Sequence, residues 1–279
     1  MLLLALDTST RQASVALCSE DGLRGEYTWL VGNNHSVELL DRVQRLMAEC
    51  DLTMQHLDAI AVATGPGSFN GVRVALATAK TLAFALKKPL IGISTLDAIA
   101  AQQQHWRGPL CAALEAGRSE LYAACYMVDE HRDSSGNMAY TLKRLGEYLL
   151  LTPEQLATYL QEQANTWFGI PGERQMPSFL FCGEISAASR QALQTKMQGQ
   201  SLFVDSIQAA RHAWVLAMLA LQRLHAGDID DPLLLEPLYL RRPSITTSAR
   251  KQPLLGGKSL RSTTTGQSQT EREEGALRR

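Results

Sequence analysis

The stretch "TGPGSFNGVRVALATAK", Thr64 to Lys80, carries three glycines, a proline, a serine and a phenylalanine, then runs directly into an alanine-rich helical pattern. Backbone N–H groups at a helix start cradle phosphate, and strand-loop-helix nucleotide loops add a lysine and a hydroxyl at fixed offsets. Here Gly71 is followed by Val72 and Arg73, so both additions are missing. Three readings stand: a ligand loop that lost its lysine, a turn needed for shape, or a turn that aims the helix behind it. On that helix Gly71, Ala75, Ala79 and Ala83 recur every four residues and leave one face nearly flat, with Val72, Leu76 and Leu82 flanking it. The preceding helical pattern, "HSVELLDRVQRLMAECDL", places Val37, Leu40, Val43, Met47 and Cys50 on one face, with Leu39 and Leu46 alongside. Periodicity alone favours core packing over a partner surface.

Working outward, "LLLALDTST" and "ASVALCSED" read as a hairpin with its loop at Asp7 to Arg11, and "GEYTWLV" as a third strand. With strands in "LDAIAVATG" and "KPLIGIS", the first hundred residues read βββαβαβ. A second lobe starts near Arg107-Gly108-Pro109, where "LCAALEA" and "ELYAACYMV" meet at Gly117-Arg118 and repeat the opening hairpin. From Glu130 to Met176 the pattern is less regular, apart from a helix in "TPEQLATYLQEQA" with Thr152 as cap and Pro153 in its first turn. "SFLFCG" is a strand, and "IQAARHAWVLAMLALQRLHAG" a long helix ended by Gly227. The expected domains are residues 1–106, residues 107–245, whose last helix at about 206–226 packs back on the first lobe, and a disordered tail at 246–279, where apolar residues are too few to offset ordering.

Of the 279 residues, 45% are hydrophobic and 20% charged, and the net charge of -1 argues against a strongly basic nucleic-acid footprint. The five cysteines form no C-x-x-C pair, which points away from zinc and from a disulfide framework and toward a reducing cytoplasm. "MLLLALD" lacks a basic start and meets Asp7 early, so a buried strand is expected there, not a signal peptide or membrane span. The six histidines show no H-x-x-x-H or H-x-x-E-H spacing, and no metal or other cofactor is expected.

Taken together and in order, "LALDTST", "GPGSFNGVRVALATAK", "PLIGISTLDAIA", "EAGRSELYAACY" and "EPLYLRR" resemble the TsaB (YeaZ) family over about Met1 to Arg242. The resemblance implies an α/β fold of two ribonuclease-H-like lobes, the architecture of actin, sugar kinases and Hsp70-type chaperones. It also implies a non-catalytic accessory subunit in bacterial synthesis of threonylcarbamoyladenosine on tRNA. The implied partners are the catalytic paralogue TsaD, the ATPase TsaE and, indirectly, tRNA, with a homodimer as a further pairing. The family pairs through its first two helices, which here carry His35, Leu39, Leu40, Val43, Met47, Gly71, Val72, Ala75, Leu76, Ala79 and Ala83. The Gly-Pro-Gly loop would then aim a dimerisation helix.

TsaD holds a metal through an H-x-x-x-H pair, and at the matching place this chain has Thr95 and Ile99. The superfamily sets its first phosphate loop in the opening hairpin, here Asp7, Thr8, Ser9 and Thr10, with Ser9 where a glycine is usual. The second loop keeps Gly183 alone where a pair is typical, and Arg118 is a further candidate for phosphate or a partner carboxylate. Asp7 to Thr10 and Arg118 thus read as a vestigial nucleotide site, the alternative being that Asp7 and Thr8 satisfy their own turn. Ser68 sits in no G-x-S-x-G elbow, which argues against a peptidase. The competing function is an active small-molecule kinase or ATPase of the same superfamily.

Overall fold

Apolar runs from the start of the chain form β1 (Leu2–Asp7), β2 (Gln12–Ser19) and β3 (Gly22–Leu30). In the computed structural model the described residues are 1–31, 35–132, 138–168 and 177–241. After β3 come α1 (His35–Glu49), β4 (Ala59–Ala63), α2 (Phe69–Leu86), β5 (Leu90–Ile93) and α3 (Thr95–Ala101). The second half follows with β6 (Leu110–Gly117), β7 (Glu120–Arg132), β8 (Met138–Leu151), α4 (Pro153–Phe168), β9 (Phe179–Cys182), α5 (Ala187–Met197), β10 (Ser201–Phe203) and α6 (Ala213–His225).

The two sheets have the same wiring. Their strand orders are β3-β2-β1-β4-β5 and, read from the matching edge, β8-β7-β6-β9-β10. In each, three strands meander antiparallel and two more join in parallel, β4 beside β1 and β9 beside β6. Parallel pairs need crossovers, and α1, α2, α4 and α5 provide them. This is the duplicated ribonuclease-H-like α/β fold that the sequence led us to expect.

β1 and β4 are buried on both faces, which explains their unbroken apolar runs. One face of the first sheet packs under α1 and α2, and the other under α6. One face of the second sheet packs under α4 and α5, and the other against α3.

Four elements escaped the sequence reading: α3, β8, α5 and β10. β8 pairs with β7 along almost its whole length, but its register shifts opposite Ala123–Cys125 and Gly146 sits at φ +80°, so its alternation breaks midway. The last helix starts at Ala213 and not near residue 206, because Arg211 and His212 are held in extended or bonded positions described below. The tail expected from residue 246 lies outside the described residues.

The small-residue stripe needs correcting. Gly71, Val72, Ala75, Leu76, Ala79 and Ala83 all face inward, with Ala75 and Ala79 at 0% exposure. With Leu39, Val43 and Met47 of α1, Ala75, Leu76, Ala79 and Ala83 form the core over the first sheet. Small side chains are there because α2 lies close on its own sheet, so in this state these residues present no surface to a partner. The outward side of the two helices carries Leu40, 44% exposed, and Phe84, 80% exposed.

Ala79→Arg forces an unpaired charge into this core at a cost of several kcal/mol. Circular dichroism should show the melting temperature falling by roughly 10 °C or more, while Phe84→Ser on the outward face leaves it nearly unchanged. A second expectation concerns alkali. Tyr126 and Tyr148 both donate to Asp97 Oδ1, at 2.7 and 3.0 Å. Burial, then Asp97, pushes the Tyr126 phenol well above its ordinary range and Tyr148 up to about 12. The folded chain therefore keeps these protons where the unfolded chain has lost them, and stability is full below about pH 10 and falls above it. Urea midpoints taken between about pH 9 and about pH 12 should drop, less steeply in Tyr126→Phe.

Candidate functional site at the lobe junction

The Asp7–Thr10 loop lies under the start of α2, and the glycines of that start explain themselves by contact. A Cβ on Gly67 would stand 2.1 Å from the Ser9 carbonyl oxygen, and one on Gly71 would stand 2.0 Å from that of Thr8. Only glycine admits backbone at such range. The Ser68 N–H donates to the Ser9 carbonyl at 2.6 Å, and the Thr8 hydroxyl to the Gly71 carbonyl at 2.6 Å. Ser68 caps α2 by accepting from the Gly71 N–H at 3.3 Å. The Gly65–Pro66 peptide is cis. Of the three readings of this loop, the turn needed for shape fits the contacts: its glycines face protein backbone.

The carboxylate of Asp7 is fully committed. Oδ1 accepts the Ser9 N–H at 2.8 Å and the Ser9 hydroxyl at 2.6 Å, and Oδ2 accepts Arg211 Nε at 2.9 Å. Arg211, 2% exposed, also donates to the Thr10 hydroxyl at 2.9 Å, to the Gln12 carbonyl at 2.5 Å and to Glu184. Thr10 in turn donates to Glu184 at 2.7 Å, and Gln12 Oε1 accepts the Arg211 N–H at 2.9 Å. Burial alone would lower the guanidinium pKa, but Asp7 and Glu184 outweigh it and hold the pKa above arginine's ordinary value. The cluster ties the first-lobe hairpin loop to the loop after β9 and to the segment before α6. Next to it, Ser14 and Glu26 accept the first N–H groups of α6, from Ala213 and Trp214, at 3.0 and 3.2 Å.

Asp7, Thr8, Ser9 and Thr10 therefore sit together as expected, but their polar groups bond protein. Arg118 stands apart, exposed at φ +57° in the β6–β7 turn with no hydrogen bond or ion pair among the described residues. The same turn is held by Arg241, which donates to the Ala116 carbonyl at 2.8 Å and pairs with Glu120. Thr95 and Ile99 are both buried, and among the described residues no group of three His, Cys, Asp or Glu side chains is placed to hold a metal. His35 begins α1, and its side chain lies outside the described residues. Sequence patterns do not single out Arg211, Glu184 or Arg241, although Arg211 and Arg241 lie within the stretches quoted above.

The family described as "TsaD: tRNA N6-adenosine threonylcarbamoyltransferase" matches residues 29–248. "tRNA threonylcarbamoyladenosine biosynthesis protein TsaB" of Haemophilus influenzae is 36% identical over 166 residues, covering 58% of this chain and 68% of that one. The chain belongs to the TsaB family. The TsaB protein of Bacillus subtilis is 39% identical over 126 residues, 45% of this chain, and the match spans only 55% of that relative's length. Among solved structures, YeaZ from Pseudomonas aeruginosa superimposes with a TM-score of 0.65 at 27% identity, over 86% of this chain and 99% of that one. No helix among the described residues is long and apolar enough to cross a membrane.

Arg211→Met leaves the Asp7 carboxylate buried without its cation, a loss of about 3–5 kcal/mol. The melting temperature should fall by roughly 10 °C. Arg211→Lys keeps the charge without the planar fork and should fall in between. Equal melting of Lys and Met variants would show that geometry, not charge, is what matters here.

Proposed function

We propose that this chain is a non-catalytic, partner-binding subunit in the synthesis of threonylcarbamoyladenosine on tRNA, and that it holds a TsaD-type transferase in a competent conformation. One observation carries the non-catalytic part: both oxygens of Asp7 are bonded to the protein itself, one of them to the buried Arg211. A phosphate-bound metal would need that carboxylate, and Arg211 puts an internal cation in its place. The Glu184 side of the junction is engaged by the same guanidinium. Biosynthesis of the modified adenosine is the role named for the Bacillus subtilis and Haemophilus influenzae relatives.

Partner binding is assigned to α1 and α2, now through their outward side, Leu40 and Phe84, with the buried stripe beneath as its support. A TsaE-type ATPase, a second copy of this chain and indirect contact with tRNA belong to the same reading. An accessory subunit of this kind acts by binding one state of its partner better than another.

Two measurements test it. Purified chain should retain a TsaD-type partner on a column, and Leu40→Asp with Phe84→Asp should abolish retention at an unchanged melting temperature. Calorimetry with ATP should give little heat. Tight ATP binding with turnover would overturn the non-catalytic assignment in favour of a kinase or ATPase, whatever the column shows.

A further inference from the structure

On the other side of the lobe junction a cleft of about 340 Å³ opens between the end of α6 and the face of β7 and β8. Its floor is apolar, from Ile93, Leu142 and Leu219. Four charged groups line it: Arg223 and Asp228, which pair with each other, and Asp97 and Arg144, which form no ion pair among the described residues.

Tyr148 touches Asp97 and Arg144. Its hydroxyl donates to Asp97 Oδ1 at 3.0 Å, while the Arg144 guanidinium lies over its ring, 4.0 Å from the centroid. The carboxylate thus accepts from the hydroxyl of the phenol whose ring face the guanidinium covers, and both groups line the same cleft. Each keeps free capacity. The two tyrosine hydroxyls converge on Asp97 Oδ1, and Oδ2 accepts nothing from the described residues. Arg144 gives only its Nε, to the Gly146 carbonyl at 3.2 Å, and its terminal nitrogens bond nothing among the described residues. The neighbouring Arg223 differs, being taken up by Asp228, Asp230 and the Gly92 carbonyl.

We propose that this cleft binds a small zwitterion of the α-amino-acid class, its ammonium on Asp97, its carboxylate on Arg144 and an apolar side chain over Ile93, Leu142 and Leu219. A ligand with both charges on one carbon suits a carboxylate and a guanidinium gathered on one phenol, and a mostly apolar cleft with few polar anchors is how small-molecule sites are built. Because Tyr126 and Tyr148 keep their protons at neutral pH, the hydroxyls hold Asp97 in the orientation the ammonium requires. Arg144 is exposed, so binding should be weak, in the millimolar range. The site is independent of the role proposed above.

The test is ligand-observed NMR and calorimetry on the full chain with L-valine, against butylamine and butyrate as probes carrying one charge each. L-Valine should bind at least about tenfold more tightly than either probe. Arg144→Gln and Asp97→Asn should each reduce that affinity by about tenfold. Arg144 is at the surface, so its variant keeps the fold and the test stands even if Asp97→Asn melts early. L-Valine binding no better than the single-charge probes, or binding unchanged in Arg144→Gln, would overturn the proposal.

Discussion

A guanidinium taken out of water must find acceptors for its donors, and the junction of the two lobes is arranged around that demand. Arg211 is buried, and its partners are Asp7, Thr10 and Gln12 from the first hairpin and Glu184 from the loop after β9. An arginine so placed cannot be relieved by deprotonation, so every partner is obligatory. Meeting them keeps the chain extended through His212, at φ −122° and ψ 125°, and sets where α6 begins. From that start α6 lies along the first sheet and buries Ala213, Leu216, Ala217 and Ala220 against it. Both lobes are thus positioned from one side chain, whose bond to Asp7 spans 204 residues.

The closing segment adds a second fastening along the same junction. After α6, Asp230 accepts the Gly92 N–H at 2.7 Å, the Leu238 N–H donates to the Thr64 carbonyl at 2.8 Å, and Tyr239 stacks on Phe69 with ring centroids 5.3 Å apart. Arg241 then reaches the β6–β7 turn of the other lobe. The segment crosses from β5 over the start of α2 and ends on the second lobe. The glycine-rich stretch at Thr64–Gly71 is therefore packed on two sides, by the Ser9 carbonyl on one and the Leu238 carbonyl, 3.3 Å from where a Gly65 Cβ would be, on the other. That packing is why a loop with the glycines of a phosphate cradle has no need of the lysine.

What could be read from the sequence follows from range. Hairpins are local, apolar runs joined by turn residues a few positions apart, so β1 to β3 and β6 with β7 were legible, and their repetition pointed to the duplication. The small stripe on α2 was visible but not decidable, because Ala75 and Ala79 recur identically whether the close neighbour is the chain's own sheet or another molecule; only burial separates the two. Arg211 was invisible because nothing in "AARHAW" marks it: its partners lie in segments that only the fold brings near. The acids Asp7 and Glu184 stand in or beside quoted loops, and local pattern does not tell which cation they share.

That shared cation bears on how such a chain could act on a partner. In a two-lobed fold whose junction holds a ligand, the lobes gain or lose attraction as the ligand comes and goes, and shape follows occupancy. Here the bridging charge is covalently part of the chain, so it does not dissociate, and the attraction it supplies is present at all times. On the proposed reading the junction is then held without a dissociable ligand. A subunit whose function is to favour one conformation of a partner needs that property, since the free energy it can transfer equals its difference in affinity for the partner's two states and is eroded by its own disorder. On the proposed reading, Asp7 and Arg211 together act as a strut across the junction that keeps the outward side of α1 and α2 in a single geometry.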